Sequence, residues 1–446
     1  MSGRWQTNIG RTLALLIVVV IGVAVWSPRP DGAGAARSAA PSAAAAPARG
    51  GDPESWSGVE WRVIADPFLK GDPEPLRIDG LVDLSGLLIG WGRVAAVGQN
   101  QFNDMGAVFV SQDGVRWRSI ALDDGVPAGD TSEPYGVAAG PLGFIIWGGV
   151  CCGIEEAATW GSADGISWSR LRGDRPRAGF VDVAASPAGW VGVGADGNQT
   201  AIWSSGDGRA WQAIDLAPRD RGKGIVSDVS DFAGRLVAVG TLDDAADTHD
   251  GAVWTSNDGR SWSRLGAGDP TLTGPDETEL ARVIPFDAGL FVIGNHGSHD
   301  ERVKCEKLIG TTASLVAVAP ETALSCGWGR EHHWLSEDGT AWQRLAPFDP
   351  LPGQQPDPAP HPVEFRNVVA VGRGLVDPGE DNVRPDGDTS LWVSMDGRAW
   401  RRLDAIGERP PAGSPAGTAI RGNTIVVVGE ADEPGRGIAV RIGMLR

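Results

Sequence analysis

Four residues able to hold a small polar ligand recur at one position of a repeated strand: Asp182, Asp228, Arg282 and Asn367, with Tyr135 one residue off the same register. Carboxylates and an amide hydrogen-bond to hydroxyls, and a guanidinium grips a carboxylate with two parallel bonds. Neighbouring carboxyls can also be driven to different pKa values and divide acid and base work between them. The same residues have a plainer account, in which water fills a channel lined by polar side chains and Arg282 neutralises Asp228. Both accounts stay open.

Three variable stretches carry further polar chemistry. Gly149 to Glu156 holds the adjacent Cys151 and Cys152, Thr241 to Gly251 holds Asp243, Asp244, Asp247, His249 and Asp250, and 295–331 holds His296, His299 and Asp300. Neither acidic or imidazole group has the spacing of a calcium loop or a zinc site, so solvated loops without a metal or cofactor are expected. His332 and His333 stand just before Trp334, where a hydrogen-bonded, partly buried histidine is the expectation. Trp147 and Trp328 fall near the same loops, where an indole could stack on a sugar.

The elements that must position these residues come from a phrase spelled six times: FVSQDGVRW, WGSADGISW, WSSGDGRAW, WTSNDGRSW, WLSEDGTAW and WVSMDGRAW. Its Asp and Trp pairs are Asp113 and Trp117, Asp164 and Trp168, Asp207 and Trp211, Asp258 and Trp262, Asp338 and Trp342, and Asp396 and Trp400. Alternating apolar residues on either side make two short strands. Asp-Gly supplies the turn, because Gly tolerates positive φ and the Asp carboxylate accepts backbone N–H groups across it. Upstream of most copies lies a Gly-bounded apolar strand, such as GRVAAVG at 92–98 and GRLVAVG at 234–240, and before that a short alternating one. The unit is four antiparallel strands in 43 to 58 residues, or 80 where 295–331 intervenes.

Fixed spacing, four strands per unit and no helical period point to an all-β propeller. After the sixth copy three strands remain, near 418–420, 424–428 and 438–442, and SWSGVEWRVI at 55–64 reads as a degraded copy of the phrase that can supply the missing outer strand. Closing the ring by that exchange gives seven blades.

The phrase resembles the Asp box of the sialidase-type and BNR-repeat propellers, shortened by one residue between Asp and Gly, over about 55–446. The resemblance implies that the box is structural and lies opposite the ligand face. Catalytic members use a Tyr helped by a Glu, an acid/base Asp and three Arg. Here Tyr135 comes early in the chain, and the nearest match to the first Arg motif, Arg282-Val283-Ile284-Pro285, follows four boxes instead of preceding the first. A non-catalytic member is therefore expected.

Composition sets the outer limits. A net charge of −18 and 64 glycines, 31 prolines and 19 tryptophans against one tyrosine fit short strands and tight turns. They disfavour a nucleic-acid partner, which needs clustered Lys and Arg. Residues 1–11 carry Arg4 and Arg11 ahead of an apolar run. Residues 12–27 read as a transmembrane signal anchor or a signal peptide, with the remainder exported. Residues 28–53 read as a disordered Ala/Pro/Gly/Ser linker, and 54–446 as the propeller. In an exported chain Cys305 and Cys326 are candidates for a disulfide across their insertion, while Cys151 and Cys152 leave three readings open: a vicinal bridge, two thiols or a link to another chain.

The sequence thus leads to a seven-bladed propeller tethered outside the cytoplasmic membrane, binding a protein, peptide or glycan without chemistry. The alternative is a glycan-active hydrolase or lyase using the Asp182, Asp228 and Arg282 cluster.

Overall fold

The period of the apolar residues decides the architecture. Along the strand Arg235–Asp243, Leu236, Ala238 and Leu242 pack into one apolar layer, whereas Val237 and Val239 pack into the next. A two-residue period with apolar groups on both faces belongs to a strand in a sheet covered on both sides.

In this computed structural model the described residues are 53–64, 81–90, 93–100, 105–111, 115–122, 126, 130–151, 156–173, 179–243, 248–265, 268–273, 276–300, 303, 331–346, 365, 367–371, 373–380, 389–406, 415–421, 423–430 and 438–446, with 19–20. They form antiparallel sheets whose strands, A to D, follow chain order. The first unit is Leu81–Gly90, Arg93–Asn100, Met105–Ser111 and Trp117–Ala121. The second is Thr131–Gly140, Gly143–Cys151, Glu156–Ser162 and Ser169–Arg170. The third is Phe180–Ser186, Gly189–Asp196, Gln199–Ser205 and Gln212–Ala213. The fourth is Gly224–Phe232, Arg235–Asp243, His249–Ser256 and Ser263–Leu265. The fifth is Asp276–Phe286, Gly289–Ser298, Glu331–Ser336 and Gln343–Arg344. The sixth is Val369–Val371, Gly374–Glu380, Thr389–Ser394 and Trp400–Ala405. The last is Pro415–Arg421, Thr424–Glu430 and Ile438–Leu445, completed by the early strand Gly58–Ile64.

Strand A of each unit lies beside strand A of the next, and Pro415–Arg421 lies beside Leu81–Gly90, so the inner strands close a ring. The core is a series of layers between facing sheets. Val226, Val229 and Trp254 of the fourth unit pack on Val191, Val193 and Ile202 of the third, and Phe291 and Leu335 of the fifth pack on Phe365 and Trp392. Radially repeated four-stranded sheets around an inner ring of strands make a β-propeller.

The seam is made by the early strand. Gly58–Ile64 pairs antiparallel with Ile438–Leu445, from Val59 opposite Leu445 to Ile64 opposite Val440, and its first residues run parallel to Asp404 and Ala405 of the sixth unit. Both edges of that strand are paired, which joins the last two units into one eight-stranded sheet.

The Asp-Gly phrase forms the C-to-D turn. Ser162 Oγ accepts the Gly165 N–H at 2.8 Å, and Asp164 Oδ1 accepts the N–H groups of Ile166 at 2.8 Å and Ser167 at 2.7 Å. The turns of Asp207, Asp258, Asp338 and Asp396 repeat this pattern. The third and fourth units' turns sit on the preceding unit: a Cβ on Gly208 (φ 76°) would lie 2.9 Å from Ile145 Cδ1 and 3.0 Å from Leu171 Cδ1, and one on Gly259 2.9 Å from Ser186 Cβ. Asp113 lies outside the described residues, while Trp117 is buried.

Within the apolar run expected to span the membrane, the described residues Val19–Val20 are a two-residue strand, parallel to Gly86 and Leu87. A β-branched run suits a strand as well as a helix, and the inner edge of the first sheet offers it backbone partners. Among the described residues no helix is long and apolar enough to cross a membrane. The rest of 12–27, the linker up to residue 52, Cys152, Cys305, Cys326 and Trp328 lie outside the described residues.

Candidate ligand face and axial ring

Strand A carries a register shift near its start: between Phe180 and Asp182, Val226 and Asp228, Leu280 and Arg282, and Pro134 and Gly136. A bulge re-aims the side chain that follows it, and this puts Asp182, Asp228 and Arg282 at one position of three successive units. In the second unit that position is Gly136, with Tyr135 one residue before it. Asn367 stands two residues ahead of Val369–Val371.

These side chains lie in the wall of the ring. Asp182, Asp228 and Asn367 are 0%, 6% and 2% exposed. Asp182 Oδ2 accepts the N–H of Val229 in the fourth unit at 3.0 Å, and Asp228 Oδ2 accepts the N–H of Val283 in the fifth at 2.7 Å. Arg282 Nη2 donates to the carbonyl of Val368, ahead of the sixth unit's first strand, at 3.3 Å. Asp182, Asp228 and Arg282 therefore each bond the backbone one residue past the next ring position. The second unit makes its link differently, because Gly136 leaves room for the indole of Trp147, whose Nε1–H donates to Val181 O of the third unit at 3.1 Å. Trp147 is fully buried, so it offers no stacking platform.

Burial, with the neighbouring Asp228 charge, pushes the Asp182 pKa well above its ordinary value. Burial raises Asp228 too, but its bond from Val283 and the charge of Arg282 oppose that rise. Burial lowers Arg282, against the opposing pull of Asp228, Asp377, Glu331 and Asp182. The Tyr135 hydroxyl donates to Glu133 Oε2 at 3.3 Å.

A second assembly forms at the B-to-C end of the fourth and fifth units. His249 Nδ1 lies 2.7 Å from Glu279 Oε1, with its Nε2 3.6 Å from Asp243. His299 Nδ1 lies 2.6 Å from Glu277 Oε1, and His333 Nε2 2.6 Å from Glu331 Oε1. The Glu331 carboxylate also accepts the Phe365 N–H at 2.9 and 3.1 Å. His296 meets Thr278 at 3.0 Å and Asp276 at 3.7 Å, and contacts Arg344. Burial, with His296 and Arg344 nearby, lowers His332 to about 4, so this imidazole is neutral at pH 7. The rim remains open to solvent, since the side chains of His299 and Asp276 are 38% and 55% exposed.

The structure thus gathers His249, His296, His299, His332 and His333 with Asp243, whereas Asp244 and Asp247 lie outside the described residues. Among the described residues no group of three His, Cys, Asp or Glu is arranged to hold a metal ion. Glu277, Glu279, Glu331 and Asp377 escape a reading of the sequence. The run Asp276-Glu277-Thr278-Glu279 carried the one available signal, a dense acidic start to an otherwise apolar strand.

No protein-family model matches the sequence, and no curated protein matches it. Among solved structures the chain is similar to a YCF48 protein bound to a D1 peptide, at 14% identity and TM-score 0.45, covering 86% of this chain and 98% of that one. It is also similar to an α-L-arabinofuranosidase from Fusarium graminearum bound to an iminosugar inhibitor, at 11% identity and TM-score 0.37, covering 88% and 95%. A thermostable family-43 glycoside hydrolase follows at 13% identity and TM-score 0.32, covering 70% and 98%. At such scores these likenesses say nothing about what this chain binds.

Proposed function

We propose that this chain is a seven-bladed Asp-box propeller, tethered outside the cytoplasmic membrane through 12–27, that binds a protein, peptide or glycan on its B-to-C face and performs no chemistry. The observation that carries this reading is the engagement of the axial ring. Asp182 and Asp228 are buried and committed to N–H groups of the following units, so they hold the wall together rather than face a substrate. The imidazole and carboxylate rim above them is polar, partly exposed and built mainly from strand ends that flank the B-to-C loops, the segments that differ between units and where recognition concentrates on a rigid scaffold. The closed ring of inner strands and the early strand's pairing support the count of seven, and the repeated turn geometry supports the Asp-box reading. The tether and the exported location rest on the charge and apolar pattern of the first 27 residues.

A glycan array and a pull-down with the full-length chain test this, beside the double substitution Asp276→Ala, His299→Ala. Binding that the double substitution weakens at least tenfold supports the rim. Turnover of a bound glycan by the unaltered chain contradicts the non-catalytic reading.

Two observations favour the glycan-active alternative: the adjacent, buried Asp182 and Asp228 carboxyls, which burial pushes toward higher pKa, and the Tyr135 to Glu133 hydrogen bond. Under that reading turnover exists and falls at least a hundredfold in either Tyr135→Phe or Asp228→Asn.

A further inference from the structure

The joint between the third and fourth units holds two carboxyls where one charge fits. Asp182 Oδ2 and Asp228 Oδ1 accept the same Val229 N–H, at 3.0 and 2.8 Å, which sets the two carboxyls side by side, and Asp182 Oδ1 is buried with no hydrogen-bond partner among the described residues. A hydrogen bond between two carboxyl groups needs a proton on one of them, because a carboxylate only accepts. Both side chains are out of solvent, so leaving both ionised would place like charges together in a low-dielectric wall.

The surroundings decide which of the two is charged. Asp228 accepts a second N–H, from Val283 at 2.7 Å, and has the Arg282 guanidinium beside it. Asp377 of the sixth unit and Glu331 of the fifth share that guanidinium from farther along the ring. On the elements packed around Asp182, Glu133 and Tyr135 bond to each other, and Asp196 and Asp231 are exposed near strand ends. Positive charge and N–H donors thus converge on Asp228.

We propose that Asp182 keeps its proton in the folded protein at neutral pH and donates it to the Asp228 carboxylate, making the joint between these two units a proton-held latch. In the latch Asp182 O–H donates to Asp228, Asp228 accepts from Val229 and Val283, and its charge is balanced by Arg282. The sign of the pH dependence follows. A carboxyl whose folded pKa lies above its unfolded value contributes stability that is full below the unfolded value and is lost as pH rises through the folded one.

Asp182→Asn imitates the protonated side chain, since the amide oxygen still accepts from Val229 and the NH2 donates to Asp228. In infrared spectra of the full-length chain at pH 7, a carboxylic acid C=O band is expected in the unaltered protein and lost in Asp182→Asn. The melting temperature of the unaltered chain should fall relative to that of Asp182→Asn as pH rises from about 4 to 9, leaving the variant the more stable at the alkaline end. An unchanged band, or melting curves that stay parallel across that range, overturns the proposal. If Asp182→Asn fails to fold, the unaltered chain alone decides: a protonated carboxyl band at pH 7 that vanishes on unfolding supports the latch, and no such band overturns it.

Discussion

Two sets of aspartates in this chain meet opposite electrostatic fates. In the C-to-D turns, burial would raise Asp164, yet N–H groups of Ser167 and Ile166 and the hydroxyls of Ser162 and Ser167 pull it down to about 2. Asp258 is likewise held at about 2, chiefly by the N–H groups of Ser261 and Arg260. In the axial ring, Asp182 and Asp228 also accept N–H groups, but burial moves both upward, and for Asp182 the neighbouring Asp228 adds to the rise. The difference lies in the surroundings. An exposed turn gives a carboxylate donors while water still screens it, whereas the ring gives it donors, a like neighbour and no water. The same residue is thus a local clamp on one side of the propeller and a long-range joint on the other.

The largest break in this comparison is expected at the ring. Asp228→Ala leaves Arg282 without its nearest counter-charge and the Val283 N–H without its acceptor, and should cost about 3–5 kcal/mol in denaturant unfolding. Gly208→Ala comes next, at about 1–2 kcal/mol, because φ is 76° and the new Cβ presses on Ile145 and Leu171. Asp164→Ala should cost on the order of 1 kcal/mol, since its N–H partners can turn to water. A pH series sharpens the contrast. The turn aspartates, with folded pKa values below the unfolded 3.8, contribute stability above that value and lose it as pH falls toward about 2, whereas the ring pair loses stability as pH rises. Carboxyl chemical shifts of Asp164 and Asp182 followed by NMR should therefore titrate on opposite sides of pH 3.8.

These two sides were not equally legible in the sequence. The turns were, because every interaction that defines them is local: Ser162, Asp164 and Gly165 bond within six residues. The early strand's exchange was also legible, since Trp61 kept its place in a worn copy of the repeat and three strands at the end lacked a fourth. The ring positions could be aligned from strand glycines, but their partners could not. Asp182 reaches Val229 and Asp228 reaches Val283, pairings set by how one unit docks on the next. Trp147 fails for the same reason: it looks like a loop-proximal aromatic until Gly136, eleven residues earlier, is seen to make room for it. Glu277 meets His299 because strand pairing sets Glu277 opposite Gly297, and Glu331 meets His333 two residues along its own strand, contacts that no motif in the sequence marks.

The central claim is that recognition sits on the B-to-C rim while the axial carboxylates are wall. The most direct measurement is the affinity of the full-length chain for whatever ligand the array or pull-down identifies, compared between Asp182→Asn and the rim pair Asp276→Ala, His299→Ala. The account predicts affinity within about twofold of the unaltered chain for Asp182→Asn, and a loss of about tenfold or more, roughly 1.4 kcal/mol, for the rim pair. The reverse pattern, with binding lost in a folded Asp182→Asn chain and kept in the rim pair, would contradict it.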